Sequence, residues 1–542
     1  MPLDTLVTGR IATFGGPSGF GWVEAVGIRE GRVAFAGSAV DLESRADPHT
    51  RRIELEPGEI AMPGITDSHL HVVGAALASS EVDLLRAATL DDALDMVREA
   101  ATRIPAPGWI TGSGWDARRW GAFPSAEALD RAAPGRLVAL RSADHHAACA
   151  SVAALAHAGI SRDTPDPVGG VIRRAPDGEP DGVLFETASN LVEDLVPPPN
   201  SDALRRAVKD YAAELLALGV TGAIDPGSLA VDETNRAHDV YRDLAESDDL
   251  PVRIWACVRA DGLDHAIERG IPSGKPLAPG LEGRLEMGWL KLFADGTLGS
   301  QTAALLRPVE GSDGNRGMFT TPPDEMRAHA TKAGQAGIAT MIHAIGDHAV
   351  REGLDILGPL GRRAAFMPRI EHVQLCDPSD RTRFALLGVA ASVQPIHLRS
   401  DAAKARTDWG DRAETAGYTW RSLLDAGAIV AFGTDAPVEP ADPWPGIALS
   451  VLRHDPSWGA DVAAYGPHEA LSLDQALRAA TVNVAATRRD PRGGRLVVDS
   501  PADLIVLPAA PRESADPAER AAAFATVRPR LVMVGGDVLL DR

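Results

Sequence analysis

The chain has 542 residues, of which 45% are hydrophobic and 24% charged, and its formal net charge is −21. A single (β/α) barrel takes roughly 250 residues, so this length predicts further modules or long insertions. No run of about 18 apolar residues is present, so we expect no membrane partner. The acidic surface would repel phosphate backbones, so we expect a small-molecule substrate rather than nucleic acid. The composition leaves open whether the chain forms a homo-oligomer.

The N-terminal segment and the cysteines indicate a compartment. MPLDTLVTGR has an early acidic residue and no apolar core, unlike a secretory signal. Cys149, Cys257 and Cys376 are odd in number and far apart, so they predict neither a disulfide framework nor a CxxC metal site. We therefore expect a cytoplasmic protein.

Both ends of the chain contain short β-type segments separated by glycine and polar residues. They include residues 21–26 and 32–37 near the N-terminus and residues 502–507 and 531–534 near the C-terminus. Neither end alone could bury a core. The pattern therefore predicts one small composite β-sandwich built from residues 1–61 and 497–542.

The middle of the chain repeats a different unit, in which a helical stretch ends at a glycine and an apolar strand follows. Four of these strands end at a polar residue, namely Asp225, His343, Gln394 and Asp435. Alternating helices and apolar strands predict a parallel sheet covered by helices, and so many units favour a closed (β/α)8 TIM-like barrel. We assign the barrel to residues 62–88 and 187–496. Residues 89–186 are then an insertion after the first barrel strand that shapes the substrate pocket.

The clearest candidate metal ligands are His69 and His71 in the segment MPGITDSHLHV. Residues i and i+2 of a strand point to the same face, so an HxH pair directs two imidazoles to one point, as a metal ion requires. The alternative is two histidines on a solvated strand face. Taken alone, the motif leaves both interpretations open.

Four further strands carry a polar residue in apolar surroundings. Lys291 lies within WLKLFADG, where an unpaired ammonium is costly, so it either extends its ammonium to solvent or pairs with Asp295, or it belongs to a site. His343, His372 and Asp435 each end an apolar strand. A lone histidine there is more often a satisfied core residue. Five strands in order with HxH, Lys, His, His and Asp at their carboxyl ends would nevertheless bring all six side chains to one mouth of a barrel.

That ordered set resembles the amidohydrolase superfamily. The similarity is to its YtcJ-like branch, which includes N-substituted formamide deformylase, and it rests on the segments PGITDSHLH, KLFADGTLGSQTA, HAIGDHA, RIEHVQ, ASVQPIH and GTDAPVEPADPWPGI. The resemblance spans essentially the whole chain. It is specific for the fold and the metal site, and much less so for the substrate.

The resemblance implies a binuclear centre with two divalent metal ions, for which zinc is the expected metal. One ion would be held by His69, His71 and Asp435, and the other by His343 and His372.

Lys291 matches the lysine that such enzymes carboxylate with carbon dioxide, so that it bridges both ions. A carbamate is an anionic oxygen ligand, which would account for the buried lysine. If Lys291 stays unmodified, a single metal bound mainly by histidines and Asp435 is the alternative.

The implied function is hydrolysis of a carbon–nitrogen bond other than a peptide bond, in an amide, an N-formyl or N-acyl amine or a cyclic amide. The nucleophile would be a hydroxide that the metal generates from water near neutral pH. Asp435 would take the proton and deliver it to the leaving nitrogen. A deaminase of an aminated heterocycle would use the same hydroxide. A non-catalytic barrel acting as a binding module usually lacks a ligand, whereas here all are present.

Four residues are candidates for contact with the substrate. His146 matches a family histidine in a DGHS-like motif of the insertion. Asp295 and Gln394 could orient the metal ligands or the substrate. Trp115 either lines the pocket or packs in a core.

Overall fold

The computed structural model describes residues 2–104, 106, 108–142, 147–197, 199–227, 233–360, 365–508 and 517–542. They form two compact units, one of Met1–Gly74 and Lys209–Arg542 and the other of Ala75–Val208. The domain boundaries expected at residues 61, 88, 186 and 497 stay predictions. No helix of the described residues is long and apolar enough to cross a membrane.

A parallel sheet of eight strands lies in the first unit, and its strands are adjacent in the order of the chain. Main-chain hydrogen bonds link the two edges, because the Ser68 N–H donates to the Phe432 carbonyl (3.0 Å) and the Asp435 N–H to the His69 carbonyl (2.7 Å). The sheet is thus a nearly closed barrel, and the predicted fold class is confirmed. Its strands are Ile65–Asp67, Val220–Asp225, Arg253–Arg259, Leu285–Phe293, Thr340–Ala344, Arg369–His372, Ala390–Val393 and Val430–Phe432.

Helices alternate with the barrel strands as the glycine pattern predicts. Gly219 (φ +86°) follows the helix Ser201–Ala217, and Gly388 (φ +68°) follows Arg381–Leu387. Both adopt the left-handed conformation that glycine tolerates best, which stops the helix and returns the chain to the sheet. The other helices here are Ala39–Glu43, Glu233–Glu246, Leu263–Arg269, Pro323–Gln335, Asp347–Leu357, His397–Trp409, Arg412–Ala416, Trp420–Asp425, Pro443–Leu452, Leu473–Ala479, Val482–Thr487 and Pro517–Phe524.

Buried apolar side chains from five of the barrel strands, with three from neighbouring segments, form a common core. This core contains Ile224, Trp255, Cys257, Trp289, Ala339, Met341, Phe366, Ala431 and Val484. A barrel packed in this way is not a pore, so its chemistry is confined to the carboxyl ends of the strands.

Strands from both ends of the chain form a second sheet of eight strands in the same unit. Successive residues face opposite sides of a strand, and Leu6 and Val7 accordingly belong to two different cores. The strands are Thr5–Ala12, Trp22–Arg29, Arg32–Gly37, Arg51–Glu54, Ile60–Pro63, Leu504–Leu507, Leu531–Val534 and Asp537–Asp541.

The unit Ala75–Val208 has a sheet of its own with six strands. These strands are Val82–Asp83, Ile110–Trp115, Val138–Ser142, Ala147–Ala150, Gly170–Arg174 and Pro180–Glu186. Its helices are Leu90–Arg103, Ala117–Trp120, Ala126–Ala132, Val152–His157 and Asn190–Glu193, and the helix Val72–Ser80 crosses the boundary between the units. Thr89 and Asp92 form a reciprocal capping box that starts the longest of these helices.

Candidate metal centre

The candidate ligands meet at the carboxyl ends of the barrel strands. Lys291, His343 and His372 lie at or near the ends of three consecutive strands. Asp435 lies just beyond Val430–Phe432, where it adopts a left-handed φ of +61°. His372 also has a positive φ, of +75°. Non-glycine residues in this region are strained and are concentrated at functional sites.

The HxH pair does not lie on a strand, which differs from our expectation. The first barrel strand ends at Asp67, whose carboxylate accepts the main-chain N–H groups of His69 (2.9 Å) and Thr434 (3.1 Å). These bonds turn the chain inward at the mouth of the barrel. The imidazoles of His69 and His71 still converge, with ring centroids 5.4 Å apart.

The hydrogen bonds of the HxH pair fix which ring nitrogen of each carries the proton. His69 Nδ1 lies 2.6 Å from the Glu371 carboxylate, and His71 Nδ1 lies 2.9 Å from the Gly227 carbonyl. Both of these oxygens can only accept a hydrogen bond, so each Nδ1 carries the proton. In the neutral rings the Nε2 atoms therefore carry lone pairs. These lone pairs face Oδ1 of Asp435, at 3.4 Å from His69 and 3.3 Å from His71.

This donor set fits a cation. Burial lowers the pKa of His69 to about 4, so the ring is neutral near pH 7. Asp435 is buried, and one of its carboxylate oxygens faces both Nε2 atoms. Two imidazole lone pairs and a carboxylate oxygen with no proton between them repel one another, whereas a divalent ion would attract all three. Two nitrogens and an oxygen are ligands that zinc accepts.

Glu371 is the residue that orients His69, and the sequence analysis did not single it out. Its side chain and that of Arg369 are fully buried and form an ion pair of 2.8 Å. Burial opposes ionisation, but Arg369 and His69 lower the pKa of Glu371 to about 2. A carboxylate that binds the second nitrogen of a ligand histidine fixes its tautomer and raises its basicity. The sequence did contain a signal for Glu371, namely an acidic residue directly before His372 inside an apolar strand.

Lys291 is buried within the same group of side chains. It is 2% exposed, its Nζ lies 3.2 Å from His69 Nε2, and it lies 4.8 Å from the centre of the Phe293 ring. Burial lowers the pKa of Lys291 to about 8, although the carboxylates of Glu371 and Asp435 oppose this shift. A neutral amine is therefore accessible near neutral pH.

His343 and His372 lie together, with ring centroids 4.4 Å apart. Nε2 of His343 donates to the Gly296 carbonyl (3.1 Å), so in the neutral ring Nδ1 has the lone pair. Nδ1 of His372 lies 2.8 Å from Oε1 of Gln394, which orients this ring. Burial lowers the pKa of both histidines, to about 3 for His343, so both rings are neutral.

Asp295 and Trp115, two further candidates for substrate contact, have different surroundings. Asp295 accepts the main-chain N–H groups of Ala304, Ile345 and Gly346, so it anchors the loops beside His343. Trp115 is 3% exposed, and its indole N–H donates to the Leu140 carbonyl within the unit Ala75–Val208. His146 lies outside the described residues. Substrate contact by these residues and by Gln394 stays a prediction.

His397 is a second residue of the site that the sequence analysis did not single out. Its Nε2 lies 3.6 Å from Oδ2 of Asp435, and its ring is stacked 6.0 Å from that of His372. It belongs to the segment ASVQPIH, three residues after Gln394, at the start of the helix His397–Trp409. The strand-end pattern missed it because the chain leaves the strand at Val393.

Comparison with known proteins identifies the family. The model of the amidohydrolase family matches residues 57–540. The chain belongs to the amidohydrolase family. The resemblance predicted from the motifs is thus confirmed, and family membership supports hydrolase activity.

Three relatives have similar sequences to this amidohydrolase along most of its length. It is 33% identical over 519 residues to Protein LONG AFTER FAR-RED 3 of Arabidopsis thaliana, covering 93% of this chain and 87% of the relative. It is 31% identical to "Putative amidohydrolase YtcJ" of Bacillus subtilis (strain 168), covering 92% of each chain. It is 28% identical to N-substituted formamide deformylase of Arthrobacter pascens, covering 89% of this chain and 90% of the relative.

Solved structures share the fold. An uncharacterized metal-dependent hydrolase from Pyrococcus horikoshii OT3 superimposes with a TM-score of 0.75 at 24% identity, covering 95% of this chain and 98% of the other. At this level of identity the likeness bears on the fold.

Proposed function

We propose that this amidohydrolase cleaves the carbon–nitrogen bond of an amide, an N-formyl or N-acyl amine or a cyclic amide, with divalent metal ions at the mouth of the barrel. The observation that carries the proposal is the convergence of two imidazole lone pairs, from His69 and His71, on Oδ1 of Asp435. The relative named N-substituted formamide deformylase supports an amide-type substrate.

We propose that the site holds two divalent ions and that both are zinc. His69, His71 and Asp435 would hold one ion, and His343 and His372 would contribute to the other. When bound, a divalent ion supplies Lewis acidity, which makes water more acidic and polarises a substrate carbonyl. Glu371, through Nδ1 of His69, keeps the Nε2 lone pair directed at this position.

A carboxylated Lys291 completes the second position in this proposal. The neutral amine adds to carbon dioxide, so that an N–C bond forms and one proton leaves. The product is an anion, which removes the cost of a buried ammonium and adds oxygen ligands. Without it, His343 and His372 offer only two ligands, and a single ion at His69, His71 and Asp435 is the alternative.

Asp435 is the proposed general acid–base. As a carboxylate, Asp435 can accept the proton of the attacking water. The water oxygen bonds to the carbonyl carbon, the carbon–nitrogen bond breaks, and Asp435 returns the proton to the leaving nitrogen. The products are a carboxylate and an amine.

A substrate screen tests this function. The purified chain is supplied with zinc or manganese and incubated with N-formyl amines, N-acyl amines and aminated heterocycles, while free amine, carboxylate and ammonia are assayed. Release of amine and carboxylate supports the proposal, and loss of turnover in Asp435→Asn ties it to this site. Ammonia from the heterocycles alone would indicate a deaminase. A protein that binds no metal and leaves every compound intact would instead be a binding module.

A further inference from the structure

His372, His397 and Asp435 have the spacing of a second metal site. One potential ligand atom of each residue lies within 4.8 Å of the others, and all three side chains are buried. Spacing alone does not show whether each of these atoms has a lone pair to offer. For His397, the hydrogen bonds on the Nδ1 side of the ring decide whether Nε2 has a lone pair.

A chain of three polar side chains lies behind His397. The Tyr418 hydroxyl donates to Oδ2 of Asp401 (2.7 Å), and Nε2 of Gln374 donates to the same oxygen (3.1 Å). Nε2 of Gln374 also lies 3.3 Å from Nδ1 of His397. Tyr418 and Gln374 are buried, whereas Asp401 is partly exposed.

Asp401 determines the orientation of the Gln374 amide. A carboxylate only accepts hydrogen bonds, so the NH2 group of Gln374 must face it, because the opposite orientation would bring two acceptor oxygens together. The second N–H of the same NH2 group then points at Nδ1 of His397. That nitrogen must therefore carry the lone pair, and in the neutral imidazole the proton is on Nε2.

The proton on Nε2 changes what His397 can do. This atom is buried, forms no hydrogen bond within the described part of the chain, and lies 3.6 Å from Oδ2 of Asp435. A nitrogen that carries a proton has no lone pair for a metal, and it cannot take a further proton from Asp435. It can only donate.

We propose that His397 is a positioning residue whose Nε2–H is directed at Oδ2 of Asp435, 3.6 Å away, and forms a hydrogen bond to it when the site is loaded, and that His397 is not a metal ligand. The two oxygens of Asp435 then have different tasks: Oδ1 faces the lone pairs of the HxH pair, and Oδ2 is held from the other side. With Oδ1 on a bound ion and Oδ2 held by His397, the carboxylate could not rotate away from the reacting water. This inference rests on the proposed function of Asp435.

Zinc content separates a positioning residue from a ligand. Wild-type protein, His397→Leu and His71→Leu are stripped with a chelator, reloaded with zinc and analysed for zinc per chain. At saturating zinc, where a weaker affinity does not limit loading, we expect His397→Leu to hold as much zinc as the wild type and His71→Leu to hold less. A loss of zinc in His397→Leu would overturn the inference. A wild type that holds no divalent metal would instead refute the proposed function.

Turnover of the best N-formyl or N-acyl amine from the screen separates positioning from mere packing. We expect His397→Leu to lower kcat by about 10- to 100-fold with little change in KM, and His397→Gln, which retains an N–H donor, to recover most of that loss. Gln374→Leu should lower kcat in the wild type but not further in His397→Leu, because it acts through the same ring. Equal kcat in the Leu and Gln variants, or additive effects of the two sites, would contradict the proposal.

Discussion

Removal of the Glu371 carboxylate tests how the site holds His69. Glu371 and Arg369 are fully buried and 2.8 Å apart, and Glu371 also lies 2.6 Å from Nδ1 of His69. In Glu371→Leu the guanidinium retains the Ser68 carbonyl (2.8 Å) and the face of the Trp289 ring, but has lost its counter-charge. Breaking a buried pair on one side costs about 3–5 kcal/mol of stability.

The same substitution should weaken the metal site. Without an acceptor at Nδ1, His69 loses its fixed tautomer, and loss of such a partner lowers metal affinity by about 10- to 100-fold. This corresponds to about 1.4–2.8 kcal/mol of binding free energy. Zinc affinity is measured by competition with a chromogenic chelator, and stability by urea unfolding of the apo-protein.

A double variant separates the two effects. In Arg369→Met/Glu371→Leu the whole ion pair is replaced by apolar side chains, which for buried pairs is often neutral or stabilising. We expect stability to return towards the wild-type value while zinc affinity stays low. Wild-type zinc affinity in a folded double variant would refute the role of Glu371 in orienting His69.

Three further predictions concern catalysis, pH and backbone space. Asp435→Asn should abolish turnover with the circular dichroism spectrum unchanged, and near-normal kcat would refute its acid–base role. Burial lowers the pKa of His238 from its ordinary value of 6.5 to about 4, so the neutral folded ring adds stability that is complete above pH 6.5 and is lost as the pH falls towards 4. By pH 5 the free energy of unfolding should have fallen by about 2 kcal/mol. His238→Gln keeps a donor for the Cys257 carbonyl but cannot be protonated, so its urea midpoint should not show this fall between pH 6.5 and 5. A Cβ at Gly433 would lie 2.5 Å from the main-chain nitrogen of His69, so Gly433→Ala should displace His69 and lower zinc affinity. In Gly74→Ala the nearest atoms would lie 3.7 Å from the new Cβ, so zinc affinity should not change. Equal zinc affinities of the two variants would contradict this.

Local patterns were sufficient to predict the barrel. Gly219 and Gly388 mark the ends of helices. The apolar strand after the first ends at Asp225 as predicted, and the strand after the second ends at Val393, one residue before Gln394. These signals arise from neighbouring residues, since a helix stop and a buried strand each need only a short segment. The order of the polar strand ends was then enough to predict which side chains meet.

The hydrogen bonds behind the ligands could not be predicted in this way. Glu371 binds His69 across 302 positions of sequence, and the tautomer of His397 depends on Gln374 and Asp401. Such contacts depend on the distances between loops at the mouth of the barrel. The strand expected for the HxH pair was wrong for a related reason, because Asp67 turns the chain through a bond to Thr434, which is distant in sequence.

Anomalous diffraction from crystals of zinc-loaded protein tests the central claim most directly. The converging lone pairs predict a zinc peak within bonding distance of His69 Nε2, His71 Nε2 and an oxygen of Asp435. The same data from His71→Leu should show the peak weakened or absent. Full-occupancy zinc elsewhere in the wild type, with none between these three side chains, would contradict the account.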